Sequence, residues 1–244
     1  MNTLFHASPG TGESAPRIER LKGAPALADA VAGLVAAAVT QGIQRRGHAS
    51  LVFSGGGTPE LFLPQVAKLT LPWDRVSILL ADERWVDEES PHSNTAMLRR
   101  TLLTQPGPAQ SHFIPLKNEA ANAETGLSAV RSGLPSVEQR YDLVLLGMGN
   151  DGHFASLFPD TPRLAELLSL ENTERVVAVP PPAAANPKIE RISLTLAELK
   201  RSERVVLVLQ GVTKLEVLKQ AWQAADALHT PVVALGDVEV LWCP

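Results

Sequence analysis

LVLLGMGNDGHFASLFP (143–159) runs from an apolar, strand-like segment into a loop with three glycines at G-x-G-x-x-G spacing, Gly147, Gly149 and Gly152. A strand that ends in such a loop points to an α/β fold, and the spacing also raises a dinucleotide-binding loop. Three features argue against a dinucleotide. The last glycine of that fingerprint opens a long helix, whereas Pro159 and Pro162 leave room for little more than a turn. Asp151 would repel the pyrophosphate that the loop is meant to cradle. The next strand-like run leads into Pro180-Pro181-Pro182, where the fingerprint needs an acid for the ribose. The glycines read instead as the means of presenting Asp151 and His153 at a strand end. An imidazole there, two residues from a carboxylate, suits general-base work. Asp151 then orients the ring, contacts a substrate or caps the turn.

Outward from this stretch, ASLVFSG (49–55), RVSILLADERW (75–85), YDLVLLGMG (141–149), ERVVAV (174–179), RISLTL (191–196), ERVVLVLQG (203–211) and VEVLWC (238–243) read as strands. Leu27, Val31, Leu34, Val35 and Ala38 mark one face of a helix. Thr58-Pro59-Glu60 reads as a helix start with Thr58 as N-cap and Pro59 at the first helical position. Further helices are expected over 94–103, near 119–132 and from Lys214 to Ala225. Nearly all-apolar strands alternating with helices imply an α/β fold with a mostly parallel sheet covered on both faces, three layers in all. Residues 1–16, rich in Ser, Gly and Pro, read as a flexible N-terminal arm. Residues 17–244 carry no internal repeat and no linker between two cores, so they read as one domain; VPPPAAANPK (179–188) is a loop.

In such sheets ligands bind beyond the carboxyl ends of the strands. Those ends carry SGGGTP, ADERW, GMGNDGH and QGVTK. Gly55, Gly56, Gly57 and Thr58 lie between a strand and a helix start. Their free backbone N–H groups and the positive helix end suit a phosphate, although a tight turn has the same composition. The spacing is not that of a Walker loop.

Apolar residues make up 45% and charged residues 20% of the 244, the balance of an ordinary globular chain. A net charge of −4, with no run of five like charges, speaks against nucleic acid and against a membrane surface as partner. The single cysteine, Cys243, excludes an internal disulfide and has no adjacent histidine to activate it. The N-terminus lacks the pattern of a secretory signal, and the longest apolar run, Ala26 to Val39, carries Asp29 and falls short of the ~20 residues that span a bilayer. His92 and His153 lack metal-ligand spacing, so no metal is expected. G-x-S-x-G is absent, so no serine nucleophile is expected either.

SGGGTP (54–59), ADERWVDEESPHSN (81–94) and GMGNDGHFASLFP (147–159), in this order, resemble the signature blocks of the 6-phosphogluconolactonase family. RISLTL (191–196) and GVTK (211–214) support the likeness, which runs from about residue 23 to the C-terminus. The resemblance implies one α/β/α domain with a Rossmann-like sheet, no nucleotide or other cofactor, and cytosolic hydrolysis of 6-phospho-D-glucono-1,5-lactone to 6-phospho-D-gluconate in the oxidative pentose phosphate pathway. For this substrate, His153 is the expected general base, Asp151 its neighbour and Arg84 an oxyanion donor, with loop N–H groups near Gly149 as the alternative donor. Gly55, Gly56, Gly57 and Thr58 would hold the phosphate, with Arg191 and Lys214 as cationic partners. Asp82, Asn94 and Gly149 complete the expected substrate contacts. The partner is then a small phosphorylated sugar lactone and the protein a monomer.

Two positions depart from the family pattern: Phe154 stands where threonine is usual, and His92 where the family often has aspartate. The related glucosamine-6-phosphate deaminases share the fold but carry a glutamate five residues after the loop histidine, where this chain has Phe158, and a tyrosine where it has Arg84. A sugar-phosphate isomerase or deaminase and a non-catalytic sugar-phosphate sensor are the alternatives.

Overall fold

The structure, a computed structural model, describes residues 16–183 and 187–244. Apart from Pro16, the arm expected over 1–16 lies outside the described residues, as does part of the proline-rich loop.

Seven strands form a wholly parallel sheet: β1 (Arg17–Arg20), β2 (Ala49–Phe53), β3 (Val76–Leu80), β5 (His112–Ile114), β6 (Leu143–Leu146), β9 (Val205–Gln210) and β10 (Glu239–Cys243), in the order β1-β10-β9-β6-β2-β3-β5. Every residue of the central β2 and β6 is buried, as a sheet covered on both faces requires. The edge strands β1 and β5, RIER and HFI, were not read from the sequence; they are too short and polar to show an apolar pattern.

The helices are α1 (Ala24–Arg46), α2 (Gly57–Val66), α3 (Asn94–Leu98), α4 (Ala123–Gly133), α5 (Leu164–Leu167), α6 (Leu196–Lys200) and α7 (Val212–Ala224). In α1, Leu27, Val31, Val35 and Val39 recur every four residues and are all fully buried, against α2 and β2. By length and composition alone α1 could span a membrane, a longer apolar run than the expected 26–39. Gly47 ends it in the left-handed region and returns its N–H to the Ile43 carbonyl. A single turn of wider pitch, Arg99–Leu103, extends α3 and completes the expected helix.

Three sequence expectations are corrected. The run 75–85 is two strands: β3 ends at Leu80, and β4 (Asp82–Arg84) belongs to a second sheet. Ala81 is the joint; its N–H donates to Phe53 O (2.8 Å) in the large sheet, and its carbonyl accepts from Leu194 N (2.9 Å) in the small one. The runs 174–179 and 191–196 supply β7 (Val176–Val179) and β8 (Arg191–Leu194), which pair antiparallel in the order β4-β8-β7 rather than joining the parallel sheet. Apolar periodicity reports burial, not partner, so it could not separate the two sheets. Finally, Thr58 is not the cap of α2. Gly56, at φ 95°, occupies that place because glycine alone enters this conformation without strain, and Thr58 lies inside the first turn.

Candidate active site

A cleft of about 200 Å³ opens where the carboxyl ends of β2, β6 and β9 meet the small sheet. The β2–α2 turn contributes Ser54, Gly55, Gly56, Gly57 and Thr58; β4 contributes Asp82 and Arg84; and α3 contributes Asn94. The loop after β6 contributes Gly147, Met148, Gly149, His153 and Ala155, while β8 and α7 contribute Arg191 and Lys214. Every site residue expected from the sequence, except Asp151, lines this wall.

Asp151 stands behind the imidazole. Its Oδ1 lies 2.5 Å from Nδ1 of His153 and also accepts the His153 backbone N–H at 3.2 Å. Burial opposes the Asp151 charge, but the hydrogen bond and charge of His153 outweigh it and hold the carboxyl below its ordinary value. An ionised carboxylate only accepts, so a ring proton sits on Nδ1, and in the neutral imidazole Nε2 carries the basic lone pair. The imidazole stacks on Phe158, with ring centroids 3.9 Å apart.

The loop that holds this pair closes on itself. Gly149 N–H donates to the His153 carbonyl (2.9 Å), and Gly152, at φ 76°, donates to the Gly149 carbonyl (3.1 Å). The Gly149 N–H is therefore already used, so of the loop N–H groups near Gly149 expected as alternative oxyanion donors this one is not free. Glycine is required at 149 for space: a Cβ would lie 2.2 Å from Nδ1 of His153 and 2.5 Å from Oδ1 of Asp151. Ser54 ties the two strand ends together by accepting the Gly147 N–H at 2.8 Å.

The opposite wall is cationic. Arg84 and Arg191 are directly paired across β4 and β8, an arrangement in which like charges repel. The Arg191 side chain is only 7% exposed; among the described residues its Nε has no hydrogen-bond partner, and the nearest carboxylate oxygen, of Asp82, is 4.0 Å away. Its guanidinium lies over Phe158, 5.0 Å from the ring centroid. Burial lowers the Arg191 pKa; the Asp82 charge opposes this and the Arg84 charge adds to it. Lys214, in the first turn of α7, is half-buried, and burial lowers its pKa. It has no partner among the described residues. In the lining of the same cleft, the N–H groups of Gly55 and Gly56 make no hydrogen bond among the described residues. A chain of net charge −4 thus exposes under-partnered cations and a helix N-terminus in one cleft, an arrangement that favours an anion.

Arg84 pairs with neither Asp82 nor Asp151. Its Nη1 donates to Oδ1 of Asn94 and to the His92 carbonyl (3.2 Å). Asn94 donates Nδ2 to the Asp82 carbonyl at 2.9 Å and packs so closely on Gly55 that a Cβ there would meet its Oδ1 at 1.9 Å. Asp82 accepts from Oγ of the buried Ser156 at 2.5 Å.

Glu83, which sequence reasoning passed over, holds this wall. It is 1% exposed and accepts the backbone N–H groups of Arg84, Asn94 and Thr95, each at 2.7 Å, with Ser93 Oγ at 3.2 Å. Burial raises its pKa, against the pull of those donors. The signal was an acid between two apolar-flanked polar residues at a strand end. Of the two departures, Phe154 is fully buried and off the cleft wall, and exposed His92 serves Arg84 through its backbone alone. Among the described residues no three His, Cys, Asp or Glu side chains are placed to share a metal ion.

The model of the glucosamine-6-phosphate isomerases/6-phosphogluconolactonase family matches residues 22–242. The chain belongs to that family. Within the family it is 37% identical over 225 residues to a 6-phosphogluconolactonase of Mesorhizobium japonicum, covering 90% of this chain and 92% of the relative. It is 35% identical over 224 residues to one of Rhizobium meliloti, covering 90% and 95%. A crystal structure of a 6-phosphogluconolactonase from Shewanella baltica superposes with a TM-score of 0.88 at 32% identity, over 96% of this chain and all of that one.

Proposed function

We propose that this family member hydrolyses 6-phospho-D-glucono-1,5-lactone to 6-phospho-D-gluconate, as a cofactor- and metal-free cytoplasmic enzyme whose residues 17–244 act as one monomeric domain in the oxidative pentose phosphate pathway. The observation that carries this reading is the His153–Asp151 pair at a cleft in which, among the described residues, Lys214 has no partner and Nε of Arg191 no hydrogen bond. The phosphate sits on the N–H groups of Gly55, Gly56 and Gly57 beside Thr58, with Lys214 and Arg191 as counter-charges. A phosphate anchored there brings the lactone carbonyl to His153, and Asp82 and Asn94 border the sugar hydroxyls.

Nε2 of His153 takes a proton from water as its oxygen bonds to the carbonyl carbon. The carbonyl electrons move onto the oxyanion, which Arg84 stabilises. When the tetrahedral centre collapses, the bond to the ring oxygen breaks and that oxygen takes the proton from His153, leaving the acid and a free hydroxyl. Asp151 acts through the imidazole: it fixes the tautomer and offsets the positive charge that forms. General-base assistance of this kind supplies ~10²–10⁴-fold. Phe158 favours hydrolysis over isomerisation, because an aromatic ring cannot move the proton that the deaminases' glutamate moves.

The test is the rate on freshly made 6-phosphogluconolactone, coupled to 6-phosphogluconate dehydrogenase and corrected for spontaneous opening. A rate no higher than the background refutes the reading and leaves a sugar-phosphate sensor. His153→Ala is expected to lose most of kcat while still binding 6-phosphogluconate.

A further inference from the structure

Phe158 does not line the cleft, yet it touches both halves of the chemistry. It is 3% exposed and sits in the turn that follows the His153 loop, where its N–H donates to Thr161 Oγ1 at 2.9 Å. The His153 ring stacks on it with centroids 3.9 Å apart and planes 29° from parallel. The Arg191 guanidinium lies 5.0 Å from the same centroid. Among the described residues Arg191 is poorly held otherwise: Nε has no partner and Asp82 is 4.0 Å away. The one hydrogen bond of the His153 ring among them is that to Asp151, about which a ring can still rock.

We propose that Phe158 is a positioning residue that couples base to anchor. Its face keeps the His153 imidazole in the plane that aims Nε2, and its negative π cloud holds the buried Arg191 guanidinium in the cleft. The imidazolium formed during turnover rests on the same cloud. This inference depends on the lactonase reading for its kinetic consequences, but not for its structural ones.

The experiment compares Phe158→Met, which keeps the bulk but not the ring, with Phe158→Tyr, which keeps the ring. Lactone turnover, 6-phosphogluconate affinity by calorimetry and the His153 ring-proton NMR resonances are read in each. For Phe158→Met, kcat is expected to fall about 10- to 100-fold and product affinity about 3- to 30-fold. The His153 resonances should lose the ring-current displacement. Phe158→Tyr should recover most of both kcat and affinity. Loss of kcat with unchanged affinity, or the reverse, overturns the coupling. Equal losses in the two variants overturn the role of the ring face, and so does an unmoved His153 resonance in Phe158→Met. If Phe158→Met does not fold, Phe158→Tyr decides: a loss of 10-fold or more in either quantity, in a folded protein, overturns the proposal. Wild-type protein with no turnover refutes the lactonase reading alone; the NMR displacement and the affinity for inorganic phosphate then still test the hold of Phe158 on His153 and Arg191.

Discussion

Gly149→Ala isolates the geometry of the base. The new methyl carbon would lie 2.2 Å from Nδ1 and 2.3 Å from Cε1 of His153, and 2.5 Å from Oδ1 of Asp151. Carbon reaches comfortable contact at about 3.5 Å, so the imidazole must retreat by about 1 Å, and a displacement of that size costs on the order of 10²-fold. The retreat also pulls Nδ1 from Asp151, which removes the tautomer lock. Gly149 does not have the positive φ of Gly152, so alanine adds no backbone strain there. Stability should change by no more than about 1 kcal/mol, a Tm shift of about 2–4 °C. The anion wall is untouched, and KM is expected to stay within about threefold. The assay is initial rate against lactone concentration, with a thermal melt as control. A variant that retains more than half of kcat, with the melt unchanged, refutes the claim that the His153–Asp151 pairing sets the rate.

Arg191→Met should separate function from stability. It removes a buried, incompletely partnered charge, so Tm is expected to hold or rise, while KM rises at least about 10-fold; a clear fall in Tm would show the charge to be better compensated than its contacts suggest. Gly55→Ala would place a methyl 1.9 Å from Asn94 Oδ1, the acceptor of Arg84, and is expected to lower kcat/KM about 10-fold or more, measured by progress curves at low substrate. Far from the cleft, the buried Glu198 binds Arg175 (2.7 Å), Arg201 (2.9 Å) and Tyr141 Oη (2.6 Å). Burial raises the Glu198 pKa, but these partners outweigh it and leave it depressed, so its stabilisation is complete above the unfolded value near 4.5 and drains away as pH falls through the folded one. Glu198→Gln should cost about 3 kcal/mol in urea melts at pH 7 and show a shallower loss on acidification; an equal slope would locate the acid sensitivity elsewhere.

Much of this was legible because the parallel sheet writes itself in apolar runs. β2, β6 and β9 announced their burial, and their glycine-bearing ends announced where a ligand would sit. What escaped depended on pairing or on proximity across the fold. Nothing local reveals that Ala81 passes the chain from one sheet to another, or that Arg84 will face Arg191. Which N–H groups near Gly149 are free was not legible, because a loop amide carries no sign of its acceptor; that of Gly149 goes to the carbonyl of His153. Phe158 showed in the sequence as the position where the deaminases carry a glutamate; its contact with His153 and Arg191 is tertiary and did not.

The joint at Ala81 divides the molecule's labour. The His153 loop is mounted on the seven-stranded sheet, at the end of β6, every residue of which is buried. The arginine pair, Arg84 and Arg191, is mounted on the three-stranded sheet, next to the proline-rich connection between β7 and β8. Phe158, stacked on His153 and under Arg191, is a second link between the two parts, so a replacement at Arg191 would be felt at the imidazole as well. A one-residue insertion at the joint would swing Asp82 and Arg84 to the other side of β4 and take them out of the cleft in a single step. The cleft is in this sense two sheets meeting across one peptide unit.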